Sequence, residues 1–152
     1  MDYLLDTNIV LIYTQASPLA KQIEKDLDLL KEGNRLFVSV VTVGELESLM
    51  IQRGHGEKKQ KALREMLSRL TVVDINIEEV IRRYAEIDAF SQGKHPSNPL
   101  SGSARNMGKN DIWIAASSSI YDLVLITTDQ DFTHLDGEYL SLKYVDINQY
   151  RK

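Results

Sequence analysis

Short apolar segments alternate with longer helical patterns along most of this 152-residue chain, and this alternation limits the fold more than any other feature. The segments YLLDT, RLFVSVV, LTVVDI and LVLITT are brief, β-branched and almost continuously apolar, which predicts buried strands at 3–7, 35–41, 70–75 and 123–128. LKYVDI at 142–147 is a candidate fifth strand. Strands that alternate with helices predict an α/β sandwich around a mostly parallel sheet.

The helical patterns lie between these strands. Apolar residues recur at helical spacing in four stretches, at 19–30, 43–50, 63–70 and 77–87. The last stretch follows Asn76, a candidate N-cap with Glu79 at the capping-box position. A further helix is expected from NDIWIAASSS, in which Trp113 fits the core better than a base-stacking role. Residues 91–110 hold two of the three prolines and three of the eight glycines, which indicates a long loop leading to Asp111.

The bulk composition favours one globular domain over residues 1–152, with 43% hydrophobic and 26% charged residues. The chain has no cysteine, which excludes disulfides and thiolate metal sites and is consistent with a reducing compartment. No apolar run reaches the ~20 residues of a membrane span, and the N-terminus lacks the pattern of a signal peptide. We therefore expect a soluble cytoplasmic protein that does not associate with membranes.

The net charge of −4 is not that of a general nucleic-acid coat protein, but two segments are locally basic. Residues 53–69 carry six Lys or Arg and two Glu, and residues 91–110 carry Lys94, Arg105 and Lys109 without any acid. Each segment could instead be a solvated helix face or loop with no role in binding nucleic acid, and this interpretation stays open.

Four acidic residues are predicted at one edge of the sheet, because ligands of open parallel sheets bind beyond the carboxyl ends of the strands. Asp6 ends the first strand, and Glu45 lies in the first turn of the helix after the second strand. Asp111 opens the helix DIWIAA, and Asp129 ends the strand LVLITT. We expect these carboxylates to converge.

Each acid also has a purely structural interpretation. Glu45 could form a capping box with Thr42, Asp111 could cap its helix or face the helix dipole, and Asp6 could be a helix cap. Asp129 and Asp131 could form an Asx turn. The four together are harder to explain in this way.

Clustered carboxylates repel one another unless a cation or a raised pKa relieves the charge. An all-oxygen ligand set selects a hard ion such as Mg²⁺ or Mn²⁺ rather than zinc, and such ions commonly take part in phosphoryl chemistry. The three histidines, His55, His95 and His134, lack metal-ligand spacing and are interpreted as surface or packing residues.

The segments LLDTNIVL, VSVVTVGELESL and NDIWIAASSSIYDLVLITTDQDF resemble, in order and spacing, the motif blocks of the PIN domain family, most closely VapC-type toxins of type II toxin–antitoxin systems. The resemblance implies a PIN-like three-layer α/β/α fold with a mostly parallel sheet of about five strands. It also implies a metal-dependent endoribonuclease, with tRNA, mRNA or rRNA as candidate substrates. Its catalytic and metal-binding acids map onto Asp6, Glu45, Asp111 and Asp129, with Asn8, Thr128 and Asp131 as supporting residues.

Further expectations follow from the resemblance. It implies homodimers, products with 5′-phosphate and 3′-hydroxyl ends, and an antitoxin that covers the active site and alone contacts operator DNA. Asp6, Asp111 and Asp129 would hold one or two Mg²⁺ or Mn²⁺ ions while Glu45 orients the attacking water. Segment 91–110 is longer than in many relatives, which leaves the RNA target open.

Basic residues should border an acidic cleft that receives RNA. Lys94, Arg105 and Lys109 are the first candidates because their loop leads into Asp111, and the segment from Lys58 to Arg69 is the second.

Two other classes of function remain. A haloacid dehalogenase-type phosphatase would need two aspartates one residue apart after the first strand, where this chain has DTN. A phospho-accepting receiver would need paired acids at the first strand and a lysine at the end of a later strand, and neither is present. The stronger alternative is a catalytically inactive PIN-like scaffold that acts mainly as an antitoxin-binding regulatory partner.

Overall fold

The computed structural model describes residues 1–150 of the chain. Its sheet has five strands, which are β1 Asp2–Leu5, β2 Arg35–Ser39, β3 Thr71–Val73, β4 Val124–Thr127 and β5 Ser141–Tyr144. The helices are α1 Thr7–Thr14, α2 Pro18–Leu27, α3 Val40–Gln52, α4 Glu57–Ser68, α5 Glu78–Ser91 and α6 Lys109–Tyr121. Two short 3₁₀ helices follow β4 and β5, at Gln130–Leu135 and Ile147–Tyr150.

The strands are all parallel, in the spatial order β3-β2-β1-β4-β5. The chain builds outward from β1 to β3, then returns and continues from β4 to β5 on the other side. The order therefore reverses between β1 and β4, where Leu5 lies opposite Ile126. A crevice opens beyond the carboxyl ends of strands at such a point, so the fold places its candidate site there.

Alternating side chains of the central strands β1 and β4 fill two cores, one on each face of the sheet. Leu4 and Leu125 face a core closed by α5 and α6. Leu5 and Ile126 face a second core closed by α1, α2, α3 and α4. These strands are apolar on both sides because both faces are covered. The predicted three-layer α/β/α architecture and parallel sheet are confirmed.

The strands are shorter than predicted, and the first helix was anticipated only by the interpretation of Asp6 as a helix cap. β1 stops at Leu5, and the eight-residue helix α1 begins directly after Asp6. NIVLIY is β-branched and apolar enough to resemble a continuing strand, but it forms a helix buried through Ile9 and Val10. Tertiary burial thus outweighs local propensity here.

The predicted helix caps are wrong at two helices. α3 begins at Val40 because the hydroxyl of Ser39 caps it by accepting from the Val41 amide over 3.1 Å. The T-x-x-E capping box of Thr42 and Glu45 is therefore excluded, and Glu45 lies in the second turn. At α5, Ile77 occupies the N-cap position, while the Asn76 amide donates to Asp74 Oδ1 over 3.0 Å.

The α6 boundary also differs from the expectation. This helix begins at Lys109 with Gly108 at the N-cap, so Asp111 lies in its first turn and does not cap it. Trp113 is half-buried against the α5–α6 core, with its ring 4.2 Å from that of Tyr84.

The prediction that histidines serve packing fits His134. Its Nε2 lies 2.7 Å from Ser91 Oγ, and burial, followed by the charge of Arg105, lowers its pKa to about 4, although the Asp131 backbone opposes this shift. Within residues 1–150, no helix is both long enough and apolar enough to cross a bilayer.

Candidate metal centre

Asp6 is the most buried acid of the site, with 5% of its surface exposed. It follows β1 and occupies the N-cap of α1, where Oδ1 accepts from the Thr7 amide over 2.8 Å. The helix-cap interpretation of Asp6 is therefore correct. Its second oxygen, Oδ2, accepts from the hydroxyl of Thr127 over 2.7 Å, so both carboxylate oxygens are held in place.

Thr127 joins the two strand ends and was not predicted from the sequence. This fully buried side chain donates to Asp6 and accepts from the Asp129 amide over 3.0 Å. Parallel pairing of β1 with β4 explains the contact, because Leu5 lies opposite Ile126 and the next residues along the two strands are Asp6 and Thr127. Only the strand register, which composition does not reveal, could have identified it.

Glu45 reaches the site from the second turn of α3. Its Oε1 accepts from the hydroxyl of Thr7 over 3.0 Å, and that hydroxyl also lies 3.1 Å from the hydroxyl of Thr42. Thr7 therefore links the helix after β1 to the helix after β2. This fixes the Glu45 carboxylate beside Asp6 and leaves Oε2 able to accept another hydrogen bond.

Asp129 and Asp131 lie on one tight turn after β4. Asp129 caps the first 3₁₀ helix by accepting from the Asp131 amide over 2.8 Å, which is the Asx turn considered from the sequence. The turn presents both carboxylates on one side, so the Asx turn is compatible with a chemical role for these acids.

Asp111, Asp129 and Asp131 form the tightest acidic group among residues 1–150. Each contributes one carboxylate oxygen, and these oxygens lie within 4.8 Å of one another. Asp131, expected only as a supporting residue, thus belongs to the group itself. Asp6 and Glu45 border it.

The electrostatics of the site reflect how close its acids lie to one another. Burial raises the pKa of Asp111 to about 7, and Asp6, Asp129, Glu45 and Asp131 each add to the shift. Burial also raises the pKa of Asp6, against hydrogen bonds from Thr127 and Thr7 that lower it. Of the four acids predicted to converge, Asp111 and Asp129 therefore lie together in the acidic group, and Asp6 and Glu45 are near enough to raise the pKa of Asp111.

The arrangement suits a hard divalent cation. The three donors within 4.8 Å of one another are all carboxylate oxygens, and their mutual repulsion is what such an ion would relieve. Mg²⁺ and Mn²⁺ both favour oxygen donors, so the donor set does not discriminate between them.

The expected supporting pair, Asn8 and Thr128, contact each other. Asn8 Nδ2 donates to Thr128 Oγ1 over 3.5 Å, so they connect α1 to the turn after β4 from outside. The carboxylates themselves are held by Thr7 and Thr127.

The predicted basic residues divide between different surroundings. Lys94 and Lys109 are exposed, and Lys109 is the first residue of α6, two positions before Asp111. Arg105 donates from Nη1 to the Gln130 carbonyl and to Thr133. In the second basic segment, Lys58 and Lys59 line an apolar groove beside α1 and α3.

Comparison with known proteins is consistent with this geometry. The pattern of the PIN domain family matches residues 3–138. Ribonuclease VapC1 of Haemophilus influenzae (strain R2866) is 31% identical over 127 residues, covering 84% of this chain and 86% of that protein. Ribonuclease VapC2 of H. influenzae (strain ATCC 51907 / DSM 11121 / KW20 / Rd) is 28% identical over 129 residues, covering 85% and 87%.

Two solved structures share the fold. VapBC2 from Rickettsia felis bound to a promoter DNA fragment aligns with a TM-score of 0.78 at 24% identity, over 96% of this chain and 100% of that one. VapBC-1 from nontypeable H. influenzae aligns with a TM-score of 0.69 at 26% identity, over 95% and 98%. The resemblance found in the sequence is confirmed: the chain belongs to the PIN domain family, in its VapC-type group.

Proposed function

We propose that this protein is a metal-dependent endoribonuclease that hydrolyses phosphodiester bonds of RNA and serves as the toxin of a toxin–antitoxin pair. The observation that carries the proposal is the convergence of Asp111, Asp129 and Asp131, bordered by Asp6 and Glu45, at the strand-order reversal. Membership in the PIN domain family and similarity to proteins named ribonuclease VapC support it.

Asp111, Asp129 and Asp131 would hold Mg²⁺ or Mn²⁺, with Asp6 reaching the ion directly or through water. When bound, the cation supplies positive charge that stabilises the anionic transition state and promotes ionisation of the attacking water. Thr127 would keep Asp6 and Asp129 oriented toward a shared position, since it contacts both.

Glu45 would orient the attacking water. Its Oε1 is engaged by Thr7, so Oε2 can accept a hydrogen bond from water and then its proton. The water oxygen forms a bond to phosphorus as the bond from phosphorus to the 3′ oxygen breaks. The leaving oxygen takes a proton from solvent, which yields 5′-phosphate and 3′-hydroxyl ends.

RNA would reach the acids across a partly basic border. Lys109 stands at the start of α6 and Lys94 at the start of the loop, and both are exposed. A groove of about 550 Å³ extends from Glu45 along α3 to Asn110 and would hold the strand beside the cleaved bond. Contacts to phosphate by the lysines would make binding weaken with salt.

An antitoxin segment would occupy a second groove, of about 690 Å³, beside α1, α3 and α4. Leu11, Leu49 and Leu63 contribute apolar walls, and Lys58 and Lys59 contribute charge. This surface suits an acidic amphipathic helix, which binds by its apolar face. VapBC complexes among the structural relatives support a protein partner.

Three further assignments rest on the VapC-type resemblance and on composition. We infer that residues 1–152 act as one domain, that the protein forms homodimers and that it works in the cytoplasm. DNA contact would occur only through the antitoxin. Light scattering on the purified protein tests the homodimer, and a monomer mass would contradict it.

The test is end-mapped cleavage of total cellular RNA with Mn²⁺ or Mg²⁺, compared with Asp6→Asn and with a chelator control. Discrete metal-dependent cuts that vanish in the variant would support the ribonuclease and identify its substrate. Failure to cut RNA by a folded, metal-binding protein would favour the alternative, an inactive PIN-like scaffold that acts as an antitoxin-binding partner.

A further inference from the structure

The peptide that joins Asp129 to Asp131 is held from outside its own turn. Gln130 lies between the two acids, and its carbonyl oxygen accepts from Arg105 Nη1 over 3.1 Å. The same nitrogen donates to Thr133 Oγ1 over 3.2 Å, and that hydroxyl donates to the Gln130 carbonyl over 2.9 Å. Arg105 therefore contacts the turn at the residue that sets the spacing of the two carboxylates.

Arg105 is itself anchored to the end of α5. Its amide donates to the Ser91 carbonyl over 2.7 Å. Ser91 is 1% exposed, and its hydroxyl contacts Met107 Sδ at 3.4 Å and His134 Nε2 at 2.7 Å. The loop is thus fixed to the buried Ser91 at Arg105 and again at Met107.

The C-terminal side of the turn is also fixed, through the contact of His134 with Ser91. His134 belongs to the 3₁₀ helix that contains Asp131, and its ring stacks parallel to Phe90, with centroids 6.1 Å apart and planes at 5°. Phe132 and Leu135 from this helix are fully buried in the core. The turn is therefore held between α5, the loop and the core.

The loop continues from Met107 through Gly108 into α6, which carries Asp111. One segment consequently supplies Asp111 and contacts the peptide between Asp129 and Asp131. The loop is thus connected to all three carboxylates that lie within 4.8 Å of one another, to Asp111 through the chain and to the Asp129–Asp131 turn through hydrogen bonds.

We propose that Arg105 is a positioning residue that sets the geometry of Asp129 and Asp131 through the Gln130 carbonyl, and that segment 91–110 braces the metal centre. The proposal rests on the proposed metal-dependent function. It assigns Arg105 a different main role from the RNA contact expected from its charge. A lysine would keep the charge, but its flexible ammonium group would not reproduce the fixed geometry of the guanidinium.

The experiment measures Mn²⁺ affinity by isothermal titration calorimetry on the chelator-stripped full chain, without RNA. The variants are Arg105→Ala, Arg105→Lys and Thr133→Val, and the matched control is Arg82→Ala, an exposed α5 arginine paired with Glu78. Affinity for a labelled single-stranded RNA of mixed sequence is measured in EDTA. Circular dichroism checks folding, and Thr133→Val, which is nearly isosteric, provides a second test if Arg105→Ala fails to fold.

Both Arg105 variants should weaken Mn²⁺ binding by about 10–100-fold, as expected when a group that orients metal ligands is lost. Thr133→Val should weaken it in the same direction, Arg82→Ala should leave it within about twofold, and Arg105→Lys should retain RNA affinity. Unchanged Mn²⁺ affinity in Arg105→Ala, with RNA affinity lost and restored by lysine, would overturn the inference while leaving the metal site intact. A wild-type protein that binds no Mn²⁺ would overturn both proposals.

Discussion

Replacing Asp111 with asparagine should stabilise the metal-free protein, and the gain should depend on pH. The Asp111 carboxyl is half-buried on α6 among four other carboxylates, and its pKa is raised from 3.8 to about 7. Asparagine keeps nearly the same shape and removes the charge. The folded protein would then no longer hold an ionised Asp111 against its neighbours.

The sign and size of the effect follow from proton linkage. Because the pKa is higher in the folded state, the folded protein binds the proton more tightly, and stability falls as pH rises from about 4 to about 7. The shift of roughly 3 units sets a ceiling of ~4 kcal/mol at about 1.36 kcal/mol per unit. Solvent screening of this half-exposed group reduces the expected gain above pH 7 to about 1–2 kcal/mol.

Thermal unfolding in EDTA, at pH 8 and pH 5, measures this gain. Asp111→Asn should unfold roughly 2–8 °C above the wild type at pH 8 and show a smaller advantage at pH 5. Glu65→Gln, an exposed change on α4, is the control for loss of one negative charge. A variant less stable than the wild type at pH 8, or equally favoured at both pH values, would refute the reasoning.

Three other changes test separate parts of the structure. Asp6→Asn should abolish RNA cleavage and leave the fold intact or more stable, because it removes a repelling charge; unchanged metal-dependent cleavage would remove Asp6 from the mechanism. Alanine at Lys94 and Lys109 should raise KM at low salt and matter less at high salt. A cleavage rate at subsaturating RNA that ignores salt would contradict this. The double change Lys58→Glu and Lys59→Glu should weaken binding of the antitoxin, taken as the protein encoded directly upstream, at least ~10-fold. Undiminished antitoxin binding would exclude the groove beside α1, α3 and α4 as its site.

The architecture was predictable because burial in the two cores produces recognisable apolar patterns in the sequence. Leu4 and Leu5 lie on opposite faces of β1 and are both buried, which produces the continuous apolar run expected of a parallel strand. The convergence of acids was likewise predictable, since parallel strands bring their carboxyl ends to one edge.

Details that depend on register and on tertiary contacts were not predictable. Thr127 reaches Asp6 only because β1 and β4 pair with Leu5 opposite Ile126, although the two residues are 121 positions apart. The contact between Arg105 and the Gln130 carbonyl spans 25 positions and has no local sequence signal. Apart from the possible cap at Asp6, the sequence did not indicate α1, because its β-branched residues resemble a strand until burial against the sheet is known.

The most direct measurement is the rate of cleavage of one mapped RNA substrate as the Mn²⁺ concentration is raised from zero, for the wild type and Asp129→Asn. We expect no cleavage in EDTA, a saturable rise with Mn²⁺ for the wild type, and a loss of at least ~100-fold in the variant. Cleavage that persists in EDTA, or that Asp129→Asn leaves unchanged, would contradict a carboxylate-bound metal as the centre of this protein's function.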